Sequence, residues 1–135
     1  MNGTIHHIEI YVSDLKRTIL FWEWLLTKKF SYKVFQKWGS GISFIHDKTY
    51  IVFVQTEKNY LDNSYNRKNT GLNHLAFSCS SREFVDNLTK ELKEKNINIL
   101  YTDKHPYAGG EDYYAVFFED PDRIKVEVVA EDEQC

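Results

Sequence analysis

The chain has 135 residues, 42% of them apolar, 16% aromatic and 27% charged. That suits one folded domain with its own core and excludes a disordered chain. A net charge of −3 supplies no basic field for nucleic acid or an anionic membrane. Cys79 lies in an apolar run and Cys135 is the last residue; no structural bridge is expected between them, and the cysteine count suits a reducing compartment.

Ile5–Val12 alternates with period two and carries β-branched residues, so it reads as a strand. Ser13-Asp14 is an N-cap pair. The helix behind it is expected over residues 15–30, with Leu15, Ile19, Trp22, Leu25 and Leu26 on one face. Strands follow at Phe30–Trp38, Gly41–His46 and Tyr50–Gln55, separated by Gly39-Ser40-Gly41 and Asp47-Lys48. A polar stretch without apolar period, from Glu57 to Gly71, reads as a linker or surface loop.

The order then repeats. Asn73–Cys79 is a strand, and Ser80 with Glu83 spells a capping box. The helix behind it aligns Phe84, Leu88 and Leu92, with Val85 a further candidate for that face. Ile97–Thr102, Tyr113–Phe118 and Ile124–Val129 are the closing strands, with Asp120-Pro121-Asp122 as the last turn. The acids towards the C-terminus (Asp120, Asp122, Glu131, Asp132, Glu133) read as a solvated tail. The chain thus spells β-α-β-β-β twice, an α+β domain of two tandem modules: about 4–57, a linker at 58–70, and about 71–130. No signal segment is read at the start, and no apolar run approaches a membrane span, so a cytoplasmic protein is expected.

Three side chains stand out. His7 opens the first strand of the first copy, and His74 stands at the matching point of the second. Glu127 lies inside the last strand, apolar at 124, 126, 128 and 129, where a carboxylate is costly unless it meets water, a partner or a metal. Two neutral imidazoles and one carboxylate form a facial set that holds Zn, Fe, Mn or Ni and leaves positions open. By strand parity His7 shares its face with Glu9 and Tyr11, which are candidate cavity-lining residues, while His6 points elsewhere. Tyr113, Tyr114, Phe117 and Phe118 fall on opposite faces of one strand, and Tyr113 is a further candidate for the cavity wall. Gly109-Gly110 reads as an ordinary loop or as a mobile lid.

These segments resemble the vicinal oxygen chelate superfamily, the group of glyoxalases, bleomycin-resistance proteins and extradiol dioxygenases. The matching text is His7–Leu15, Gly71–Phe77 and Phe118–Glu127, and the likeness spans residues 4–130. The resemblance implies paired βαβββ modules forming a curled mixed sheet around a central cavity. It also implies one divalent ion on His7, His74 and Glu127, with Glu127 the candidate catalytic residue, a small-molecule substrate and a homodimer. Two departures stand out. Arg123 occupies a turn position where the family usually has Gly, so it must take a left-handed backbone with some strain or use another turn. Glyoxalase-type lyases carry a further glutamate on the fourth strand of copy one. Here its matching point falls near Phe53, read as cavity-lining, which cannot ligate; Gln55, on the same face, is the candidate fourth ligand, and Glu57 lies at the strand end. Without that glutamate the chain is more similar to the fosfomycin-resistance and dioxygenase branches. For a phosphonate, Lys104, Arg123 and Lys125 are the cationic candidates. The expectation is a metal-dependent enzyme; the alternative is a metal-free protein of the bleomycin-resistance type that sequesters its ligand.

Overall fold

A computed structural model describes residues 2–131; Asp132 and Glu133 of the acidic run, and Cys135, lie outside the described residues. The chain divides into two compact units, Met1–Ser64 and Tyr65–Cys135, the boundary falling within the polar stretch read as linker. Among the described residues no helix is long and apolar enough to cross a membrane.

In the first unit β1 (His7–Val12) leads into α1 (Leu15–Glu23), followed by β2 (Lys33–Trp38), β3 (Gly41–His46) and β4 (Thr49–Gln55). Asp14 starts the helix as expected, its carboxylate accepting from the Arg17 N–H. The helical path continues as a π-helical segment, Trp24–Lys29, which buries Leu25 and Leu26. The strands form one sheet in the order β1-β4-β3-β2, with β1 parallel to β4. One face of this sheet carries Ile10, Val12, Ile42, Phe44, Ile51 and Phe53, all buried. Trp22 of α1 stacks on Phe53 with ring centroids 5.0 Å apart, and Phe44 meets Phe53 edge-on at 6.1 Å. Each fully buried aromatic of this kind contributes about 2–3 kcal/mol of transfer free energy.

The second unit repeats the plan with β5 (His74–Cys79), α2 (Arg82–Glu94), β6 (Ala115–Glu119) and β7 (Lys125–Ala130), in the sheet order β5-β7-β6. The strand expected at Ile97–Thr102 is reduced to a single bridge between Ile99 and Phe118. Tyr101, at φ 55, turns the backbone away before a ladder can continue. The cap of α2 is Ser81, whose Oγ accepts from the Phe84 N–H, so the reading of Ser80 is corrected by one residue. Glu83 then sits in the first turn, where its charge suits the helix dipole. Arg123 does adopt the left-handed backbone, at φ 67. Asp120 is buried, its carboxylate accepting from the N–H groups of Asp122 and Ile124, so it is a turn-forming residue and no part of a solvated tail.

Candidate functional site

The second unit brings a histidine and a carboxylate together. His74 and Ala76 on β5 point to the face away from α2, and the parallel register sets Ala76 beside Glu127 of β7. Glu127 is only 4% exposed, yet its Oε1 stands 3.7 Å from His74 Nε2. Its other oxygen, Oε2, accepts a short hydrogen bond from the Tyr113 hydroxyl. That bond, with burial and the carboxylate's charge behind it, pushes the Tyr113 phenol up to about 12.

The imidazole is oriented from behind. The Asn73 amide donates to the Arg67 carbonyl at 3.0 Å, which turns its Oδ1 towards His74 Nδ1, 2.8 Å away. An amide oxygen only accepts, so Nδ1 carries a proton and Nε2 is the ring nitrogen on the side of Glu127. Arg67 is itself anchored: its guanidinium donates to Glu119 Oε2 at 2.5 Å and to the Arg123 carbonyl at 3.0 Å. Glu119 also accepts from Asn98 at 2.5 Å and from Arg123 Nε at 3.2 Å. Burial pushes the Glu119 carboxyl up, but those three hydrogen bonds and the Arg67 charge outweigh it and hold the group below its ordinary value.

This arrangement suits a metal ion. An imidazole with one nitrogen held by an outer partner, next to a buried carboxylate, is an arrangement that can hold a divalent ion. Two donors each about 2.1 Å from one ion stand about 3.0–3.4 Å apart, and 3.7 Å lies a few tenths beyond that. Among the described residues no group of three or more His, Cys, Asp or Glu side chains is gathered as a complete metal cluster. What the structure describes is the pair.

His7 belongs to the first unit. Its ring stacks on Tyr50, centroids 4.7 Å apart and planes 4° from parallel, and its Nδ1 is 2.8 Å from His6 Nδ1. Glu9 and Tyr11 are exposed on the same face of β1, away from α1. That face also carries Tyr50, Val52 and Val54, because His7 pairs with Tyr50 and Glu9 with Val52.

Two site readings are therefore corrected. Phe53 is no lining residue on the face of His7; it is fully buried on the opposite, helix-covered face against Trp22. The strand position matching Glu127 is Val52, a residue equally unable to ligate. Gln55 shares the face of Phe53, and its amide is engaged at the start of α1. Its Oε1 accepts from the Leu15 N–H at 2.8 Å, while Nε2 donates to the Ser13 carbonyl at 2.8 Å. The amide thus closes the strand–helix junction instead of presenting an oxygen beside His7.

Of the phosphonate candidates, Lys125 donates to the Tyr101 hydroxyl at 3.2 Å and Arg123 pairs with Glu119. A cavity of about 180 Å³ lies beside Arg67, Lys68 and Arg123, two of which are already bound to Glu119. Sequence reasoning missed Asn73 and Arg67 as supports of the site. Asn73 stood next to His74 in the motif itself, and that adjacency was the available signal.

Fold and site together define a protein of two related sheet-and-helix modules, with a histidine–carboxylate pair in the second. The chain belongs to the Glyoxalase/Bleomycin resistance protein/Dioxygenase superfamily, whose family model matches residues 4–128. It is 53% identical to the uncharacterized protein YqjT of Bacillus subtilis (strain 168) over 126 residues, 93% of this chain and 98% of that protein. Its fold matches the crystal structure of a provisionally named glyoxalase from Bacillus halodurans at 55% identity and a TM-score of 0.94, over 96% of this chain and 97% of that one. It also matches the genomically encoded fosfomycin resistance protein FosX of Listeria monocytogenes, at 21% identity and a TM-score of 0.72, over 98% and 97%. A variant of that protein has been solved with Mn(II) and a dihydroxypropylphosphonic acid.

Proposed function

We propose that the chain is a metal-dependent vicinal oxygen chelate enzyme. In this reading His7, His74 and Glu127 hold one divalent ion, Zn, Ni, Mn or Fe, for a small oxygen-bearing substrate. The carrying observation is the second unit's pair: an imidazole whose Nδ1 is held by Asn73 and whose Nε2 stands 3.7 Å from an oxygen of a buried carboxylate. His7 enters as the third donor on its place at the start of the equivalent strand. When bound, an ion at such donors polarises substrate oxygens and stabilises charge that develops on them. The chain's own part is to keep His74 aimed, to keep Glu127 dry, and to offer a face beside His7 for the substrate. Val52, standing where a lyase would need its extra glutamate, argues against thiohemiacetal isomerisation and for an epoxide-opening or dioxygenase-type reaction.

One observation favours a second reading, a metal-free protein that sequesters a flat apolar ligand. Tyr11, Phe35 and Trp38 of the first sheet are 56%, 47% and 43% exposed, a costly display for a surface with nothing to bind.

Metal analysis of protein purified without an affinity tag separates the two. One ion per chain, lost in His74→Ala and in His7→Ala, is expected of the enzyme. No ion under any loading condition rules it out and leaves the binder. A screen of methylglyoxal–thiol adducts, fosfomycin and catechols, each with Ni, Mn, Zn and Fe(II), then assigns the reaction. The homodimer and cytoplasmic location belong to the same proposal, and light scattering of the purified chain tests the first.

A further inference from the structure

The loop before β6 does more than connect. Tyr107–Tyr113 is a tight turn: the Gly110 N–H donates to the Tyr107 carbonyl at 3.1 Å, and the Tyr113 N–H to the Gly110 carbonyl at 3.2 Å. Gly110 and Asp112 take positive φ, 135 and 61, which folds the chain back sharply. The Tyr113 ring then lies directly over Gly109. A Cβ at Gly109 would stand 2.3 Å from Tyr113 Cδ1 and 2.7 Å from Cε1, closer than carbon atoms approach. Gly109 does not have a positive φ, so its missing side chain answers to the ring and to no backbone demand.

What this seat achieves is visible at the far end of the ring. The phenol reaches Glu127 and takes Oε2, leaving Oε1 as the oxygen on the side of His74. A glutamate has three side-chain torsions, and a carboxylate free to turn would present either oxygen, or both, at several angles. Resting on the reading of His74 and Glu127 as metal donors, we infer that Tyr113, seated on Gly109, is a positioning residue that fixes Glu127 as a one-oxygen donor. Asn73 does the same for His74 from the opposite side. The donor pair is held between two outer supports, and the Gly109–Tyr113 loop supplies the one for the carboxylate. Removing an outer hydrogen-bond partner of a metal ligand typically costs about 10- to 100-fold in metal affinity.

The test measures Co(II) affinity by calorimetric titration, and the visible absorption of the Co(II)-loaded chain, for wild type, Tyr113→Phe, Gly109→Ala, the double variant and His74→Ala. Tyr113→Phe is expected to weaken binding about 10- to 100-fold and to alter the Co(II) bands, as the carboxylate changes its mode of coordination. Gly109→Ala, which evicts the ring without touching the hydroxyl, is expected to match it, and the double variant to be no worse than either single one. Thermal midpoints within a few degrees of wild type exclude global unfolding; should Gly109→Ala fail to fold, Tyr113→Phe carries the test alone. Wild-type affinity and an unchanged spectrum in Tyr113→Phe, with binding still lost in His74→Ala, overturn the inference and leave the donor reading standing. Absence of Co(II) binding in the wild type, or equal binding in His74→Ala, overturns both.

Discussion

In the first unit the histidine that opens the leading strand stacks on Tyr50 and touches the ring of His6. In the second unit the histidine at the same register has its Nδ1 held by Asn73 and its Nε2 turned towards a buried carboxylate. The backbones repeat: His7 pairs with Tyr50 as His74 pairs with Lys125, and two residues on, Glu9 pairs with Val52 as Ala76 pairs with Glu127. The carboxylate has changed strands. It stands on the leading strand in the first unit, exposed, and on the closing strand in the second, buried. A duplicated register therefore fixes where side chains stand, and the choice of residue at two facing positions decides whether the spot is an aromatic surface or a histidine–carboxylate pair.

Val52→Glu tries to break that contrast by giving the first unit the closing-strand glutamate of the second. Val52 is 5% exposed and lies beside Glu9, so the variant buries a charge and sets it opposite a like charge. A loss of about 3 kcal/mol in urea unfolding is expected. Adding Glu9→Ala, which reproduces the Ala–Glu pairing of the second unit, should recover about 1 kcal/mol of it. No recovery would mean that the units differ by more than this exchange.

Glu119→Gln probes the anchor behind His74, which the first unit lacks at the matching strand position. It removes the charged partner of Arg67 and is expected to cost about 2 kcal/mol at neutral pH. The folded-state carboxyl lies below its ordinary value. Its contribution is therefore complete above the unfolded value of about 4.3 and is lost as pH falls through the folded value. Wild type and variant should converge in stability on acidification below about pH 4; a gap constant with pH would refute the charge argument. The smallest effect is at the helix starts. Gln55→Ala exposes the Leu15 N–H and Ser81→Ala the Phe84 N–H, and each should lower the thermal midpoint by the equivalent of about 1 kcal/mol. Unchanged metal content in Gln55→Ala would agree with its place at the helix junction.

The repeat, the approach of His74 to Glu127 and the cap of the first helix were legible because each leaves a local mark: a period, a turn residue, a polar atom inside an apolar strand. The face of Phe53 was not. Ile51, Val52 and Phe53 are all buried, so β4 has no polar alternation to show which residues point at the helix, and parity slipped by one. Ser80 and Ser81 are chemically equivalent caps, and only the helix phase chooses between them. The strand at Ile97–Thr102 had the right composition, but the left-handed residue at Tyr101 ends it. Tyr113 was singled out for the cavity wall, while its bond to Glu127 and its seat on Gly109 depend on a loop path that no sequence period records.

Each unit is completed by its last strand. β4 enters between β1 and β3, and β7 between β5 and β6, so the leading strand of each sheet has no neighbour until the final segment of that unit arrives. A nascent chain paused after Glu119 would carry β5 with an open edge and β6 without a partner in β7. The inserting strand β7 carries both the ladder hydrogen bonds that join β5 to β6 and the carboxylate that faces His74, so one segment supplies the sheet's middle and half of the pair.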